Sequence, residues 1–150
     1  MAVCAVSPFN MRSVSFIPII LLALAISAAG QRIENSGRST IGYVSSSGTI
    51  ENASRSTAGY FRTDGKLENS SRRTIGYLHS NGTIEDASRR TLGYLLSNGR
   101  IENASRTTLG YIDKNGKVED ASRRTRGYAP GVDRRVAAAL FFFFDLIPVD

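Results

Sequence analysis

From residue 42 onward, apolar and polar positions recur with a long period rather than a purely local one. The dipeptide Gly-Tyr stands at 42, 59, 76, 93, 110 and 127, a spacing of 17 each time. The row from Gly93 to Leu109 reads GYLLSNGRIENASRTTL, and the rows starting at 76 and 110 differ from it at a few positions. Each row holds two short apolar–polar alternations separated by turn residues, which predicts two β-strands per unit. The full units run 42–58, 59–75, 76–92, 93–109 and 110–126. Residues 31–41, QRIENSGRSTI, form the back half of a unit, and a closing strand at 126–128 forms the front of another.

The two turns of a unit set its register. The first is Ser46-Ser47-Gly48, with equivalents as far as Lys114-Asn115-Gly116. A three-residue hairpin loop with a left-handed Gly in last place opposes Val44 to Ile50, Phe61 to Leu67, Leu78 to Ile84, Leu95 to Ile101 and Ile112 to Val118. A two-residue Asn-Gly turn would set the same residues against Glu, so the longer loop is expected. The second turn is Asn-Ala-Ser-Arg and its variants, whose Asn, Asp and Ser side chains bond nearby backbone groups. A four-residue loop there opposes Ile101 to Thr108. It puts Thr108, Gly110 and Ile112 on the Ile101 face, with Leu109, Tyr111 and Glu102 on the other.

A flat meander of such hairpins would leave two open edges. Pairing the strand around Ile33-Glu34 with the strand around Arg126-Gly127-Tyr128 completes a sixth unit and removes both. The expected fold is all-β: a closed symmetric ring, or shallow barrel, of 17-residue antiparallel hairpins over 31–128. A linear β-solenoid would leave the two matching halves unexplained. Residues 129–150 add a short apolar α-helix and tail, with Asp133 as N-cap and Pro148 marking its end. The run Phe141, Phe142, Phe143 and Phe144 makes that helix apolar on every side, so it is buried or meets lipid. As a helix, Val136 to Phe144 is about 14 Å long, too short to cross a bilayer. It either plugs a mouth of the ring, anchors at a membrane surface, or meets a protein partner.

The uncharged run from Phe16 to Ala29, preceded by Arg12 and ended by small residues, reads as a secretory signal peptide over 1–30. Cleavage fits after Ala29 or after Gly30, and Met11 is the better start. The remaining chain has no cysteine and no transmembrane span is expected in it. One Cys (Cys4), one His (His79) and no Trp exclude an internal disulfide framework and a Cys/His zinc site. Neither a catalytic residue, a metal site nor a cofactor is expected, because no acid/base pair or nucleophile stands apart from the repeat.

The repeat I-E-N/D-x-S-R-x-T-I-G-Y-x-x-x-N-G, followed by an Ala-rich helix ending in four Phe, resembles the bacterial β-flower proteins. In particular it resembles the family described as five-fold β-flower, over Arg32 to Phe144. The resemblance implies a shallow ring of hairpin petals, mostly without assigned biochemical function, with a loose likeness to lipid-binding tubby-type domains. No catalytic residues come with it.

The remaining chemistry sits on recurring positions. Glu34, Glu51, Glu68, Glu85, Glu102 and Glu119 would each pair with the Arg four residues on, or together bind a cation on the axis. The six Tyr would pack on the Ile/Leu of their own strand face, or line a sugar- or choline-binding surface. His79 reads as a solvated side chain. Excess Arg on the Asn-Ala-Ser-Arg side makes one rim basic, and Arg72, Arg73, Arg89, Arg90, Arg123 and Arg124 there are candidates for anionic headgroups or an acidic envelope glycan. Phe141 to Phe144 are the candidates for lipid. Nucleic acid is not expected as a partner of an exported protein. The expected function is an exported, non-enzymatic binding or structural module of the bacterial envelope, periplasmic, outer-membrane-associated or extracellular. The alternative is a membrane-surface lipid or hydrophobic-ligand binder using the ring interior or the Phe141–Phe144 helix.

Overall fold

The computed structural model describes residues 30–149; the leader expected over 1–30 lies outside them apart from Gly30. Twelve strands follow one another: β1 (Gln31–Asn35), β2 (Thr40–Val44), β3 (Thr49–Asn52), β4 (Thr57–Phe61), β5 (Lys66–Asn69), β6 (Thr74–Leu78), β7 (Thr83–Asp86), β8 (Thr91–Leu95), β9 (Arg100–Asn103), β10 (Thr108–Ile112), β11 (Lys117–Asp120) and β12 (Thr125–Tyr128). Each pairs antiparallel with its sequence neighbours, and β1 pairs with β12, so the sheet is a closed barrel. The closing contact sets Glu34 against Tyr128 and Asn35 against Gly127. Tyr94 against Glu102 and Gly93 against Asn103 show the same register inside the chain. The two half-units therefore complete a sixth hairpin.

The Gly turns have the expected three-residue form. Val44 faces Ile50 and Leu95 faces Ile101. Gly99 donates its N–H to the Leu96 carbonyl and lies at φ 86°, where a side chain is disfavoured.

The second turn departs from the expected four-residue loop. It is also a three-residue loop, closed by the Asn103 N–H bonding to the Thr107 carbonyl at 2.9 Å. The residue in the left-handed position is Arg106, at φ 65°. The Asn103 Oδ1 accepts from the N–H groups of Ser105 and Thr107, which pins the loop at that length. Thr108 consequently faces Glu102 rather than Ile101, and a bulge at Leu109 restores Ile101 to a position opposite Gly110. Thr108 thus shares the outer face with Glu102. Leu109, expected on that outer face, packs against the hydrophobic core. The same bulge recurs in the other units.

Inward positions form rows around the bore. Ile33, Ile50, Leu67, Ile84, Ile101 and Val118 make one, all fully buried. Val44, Phe61, Leu78, Leu95, Ile112 and Ala129 make a second, and the six glycines of the Gly-Tyr pairs make a third. Through this bore runs α1 (Arg134–Phe142), capped by Asp133, whose side chain accepts the Arg135 N–H. Arg134 lies beside Gly99 at the Gly-turn mouth, while Phe142 lies beside Gly110, nearer the Arg turns. The helix thus enters at one mouth and its end approaches the other. Ala137, Ala138 and Ala139 are fully buried, small enough to pass between the large side chains of the wall.

Below the alanines the size relation inverts. A Cβ placed on Gly93 would lie 2.7 Å from Phe143 Cε1, and on Gly110 or Gly76 it would lie 2.8 Å from Phe142 or Phe144 Cε1. Phe141 stands against Gly127 in the same way, and the aliphatic Leu146 and Ile147 stand 3.2 Å from the corresponding positions of Gly59 and Gly42. Six tail side chains thus occupy six glycine slots, one per hairpin, with only Asp145 skipped. Six slots per turn require about 60° per residue, whereas an α-helix advances by about 100°. The helix therefore stops at Phe142, well before Pro148, and Phe144 donates to Ala139 across a widened turn at 2.8 Å. Gly93→Ala introduces a Cβ against both Phe143 and the facing Glu102 carbonyl, and is expected to destabilise the fold by about 2–3 kcal/mol in urea denaturation.

Candidate functional site

The outward face of each hairpin carries the same three side chains. Tyr94 is paired with Glu102 across the hairpin, and the left-handed Arg106 folds back over both. Its guanidinium lies 3.7 Å from the Tyr94 ring centroid and 3.3 Å from the Glu102 carboxylate. Arg38, Arg55, Arg72, Arg89 and Arg123 do the same over Tyr128, Tyr43, Tyr60, Tyr77 and Tyr111, at 3.4 to 3.5 Å. The expected Glu–Arg pairing is present in all six units. The Tyr placement differs from the expected one: each ring stacks under a guanidinium rather than on the aliphatic side chains. The glutamates point away from the axis, so they do not form an axial cation site.

Positive φ at a non-glycine residue costs about 1–2 kcal/mol. A stacked guanidinium returns about 0.5–1 kcal/mol and an exposed ion pair somewhat less. The Asn-x-x-Arg turn is thus close to neutral on the backbone while it ties two strands together at the surface. Arg106→Ala keeps the strained φ and loses both contacts, whereas Arg106→Gly relieves the strain. The Ala variant is expected to lose about 1–2 kcal/mol and the Gly variant less, as read from denaturation midpoints.

Several glutamates hold a second cation. Arg100 lies 2.8 Å from Glu102, and Lys117 lies 2.6 Å from Glu119. His79, expected as a solvated side chain, instead places Nε2 2.9 Å from Glu85 Oε2. The hydrogen bond from His79 holds the Glu85 carboxyl below its ordinary value, and that from Lys117 does the same for Glu119. The Lys117 ammonium is raised in turn by Glu119. Depressed carboxyls contribute stability above their unfolded value of 4.5, and that contribution disappears as pH falls through the lower folded value. Raised Lys117 contributes below 10.5 and loses its share as pH rises through its folded value. The melting temperature is therefore expected to fall on acidification below 4.5, and His79→Gln to lessen the Glu85 share of that fall.

The candidate ligand-binding residues separate into distinct environments. Phe141 is buried, while Phe142, Phe143 and Phe144 are half-buried around a groove of about 260 Å³ that Leu140, Ile147 and Val149 also line. Arg72, Arg89 and Arg123 are committed to their Tyr and Glu partners. Their neighbours Arg73, Arg90 and Arg124 are exposed in the same turns, and of these Arg90 pairs with Asp86 at 3.4 Å. Arg126 takes the bulge position held by Ile41, Ala58, Ile75, Leu92 and Leu109 elsewhere, and lies 5.0 Å from the Phe142 ring.

A second hollow, about 360 Å³, opens beside the Gly-turn mouth between Thr63–Lys66, Tyr77–Ser80, Arg89 and Arg135. Its cations already have anionic partners: Lys66 with Asp64, His79 and Arg89 with Glu85, and Arg135 with Asp133. Among the described residues no three His, Cys, Asp or Glu side chains come together as a metal site. No helix among them is long and apolar enough to cross a membrane.

A family model described as 5-fold beta-flower protein matches residues 30–145. The chain belongs to this β-flower family. The comparison with curated proteins found no match, and neither did the comparison with solved structures. In this β-flower the ring has six hairpins, five from complete units and one from the joined ends. The glycine slots were not legible as a site in sequence, although a Gly at every seventeenth residue and a run of large apolar residues were their two visible signals.

Proposed function

We propose that this β-flower is an exported, non-enzymatic binding or structural module of the bacterial envelope that acts through its outer surface. The observation that carries this reading is the filled bore: α1 and the six slot residues occupy the space a container would offer a ligand. What the molecule presents instead is the belt of six Tyr–Glu–Arg sets and the two rims of turns. The signal-peptide pattern before Gln31 and the cysteine-free chain after it support export.

A second reading is supported by the Arg-turn mouth. There the half-buried Phe142, Phe143 and Phe144 lie inside a rim that also carries exposed Arg73 and Arg124, neither in an ion pair among the described residues. Apolar edges within a cationic rim suit an anionic lipid surface. Co-sedimentation of the chain from residue 31 with anionic and with zwitterionic vesicles separates the two. The first reading expects the protein in the supernatant with both. Pelleting with anionic vesicles alone, abolished in Arg73→Ser/Arg124→Ser with the fold intact, would replace it by the second.

A further inference from the structure

We propose that the bore of the ring is a peptide-binding site, loaded in cis by the chain's own tail and able to take the same segment from a second copy. This goes beyond the outer-surface reading and does not depend on it.

Three observations carry it. The hydrogen-bonded ladder closes on itself through β1 and β12, so the ring's backbone is satisfied without the tail. Among the described residues, the hydrogen bonds of 133–149 are local to that segment, and none reaches a strand. The plug is therefore held by apolar packing and two Arg–Phe contacts, the way a ligand is held, and not by shared secondary structure. It is joined to β12 only through the short link Ala129-Pro130-Gly131-Val132, in which Gly131 has φ 76°.

The site also carries a reading frame. Slots at Gly127, Gly110, Gly93 and Gly76 receive four consecutive Phe, and those at Gly59 and Gly42 receive Leu146 and Ile147. The ligand class follows: a short Ala-rich helix running into four aromatic residues, one polar residue and two aliphatic ones. Sixfold slots alone would accept this segment in six rotations. Arg126, the one charged residue in the bulge row, stands over Phe142 and distinguishes one of them. A second copy of the chain supplies the same segment, and exchange of tails would join rings, in closed pairs if reciprocal and in open series if not.

The test uses the chain from residue 31 with a protease site inserted between Pro130 and Gly131, folded and then cut. A fluorescent synthetic peptide of residues 132–150 is added, and the ring fraction is followed by size exclusion. The expected result is that ring and cut tail elute together, that the labelled peptide replaces the tail, and that the uncut chain takes up little label. The tether holds the cis tail at about millimolar effective concentration, which accounts for the last point. The peptide carrying Phe142→Ala, Phe143→Ala and Phe144→Ala is expected to bind at least about a hundredfold more weakly. Unfolding of the ring once the tail is cut would overturn the proposal. So would failure of the labelled peptide to enter, equal binding of the triple-Ala peptide, or equal labelling of the uncut chain.

Discussion

Twelve short strands closed in a ring enclose more space than their own inward side chains can fill, and that void has to be packed by something. An eight-stranded barrel is about the size at which the wall's side chains suffice. Here the wall supplies Ile, Leu and Val at one level and bare glycine at another, while the tail supplies Ala and then Phe. Large meets small at both levels. Were either partner of that relation changed alone, the bore would hold either a cavity or a clash, each of which costs of the order of kilocalories per site.

The remainder of the fold can be traced from that packing. The glycine slots lie on the regular side of each hairpin, and the bulge after each Arg turn returns Ile101 and its equivalents to the interior opposite the next slot glycine. The bulge follows from the three-residue length of the turn, and that length follows from an Asn or Asp side chain bonding two backbone N–H groups ahead of it. Arg in the left-handed position is tolerated because the same side chain reaches a Tyr ring and a Glu carboxylate. Local turn chemistry, outer-surface electrostatics and the inner packing are thus linked within each 17-residue unit.

How much of this was legible in the sequence can be judged from particular residues. Strand placement, the Gly-turn register, ring closure by the two half-units and the Asp133 cap were all readable, because each rests on neighbours in sequence or on exact repetition. The Arg turn is one residue shorter than its sequence suggests, since nothing in Asn-Ala-Ser-Arg announces that Arg will adopt a conformation glycine usually takes. Thr108 and Leu109 changed faces as a consequence. His79 gave no sign of its carboxylate partner, which lies across a hairpin in a single unit. The fan of phenylalanines was the least legible feature: an apolar run near alanines reads as helix, and only the sixfold wall makes 60° per residue the better pitch.

The match of slots to tail residues also constrains how such a chain can change over time. Tandem repeats gain and lose units by recombination, and a closed ring accommodates this by widening or narrowing. The plug has no repeat of its own and cannot change by the same event. A gene that acquired a seventh 17-residue unit would encode a ring with one glycine slot and no residue to fill it; a gene that lost one would carry a surplus phenylalanine. The number of petals is therefore tied to the spelling of seven residues near the C-terminus, and the two must drift together or not at all.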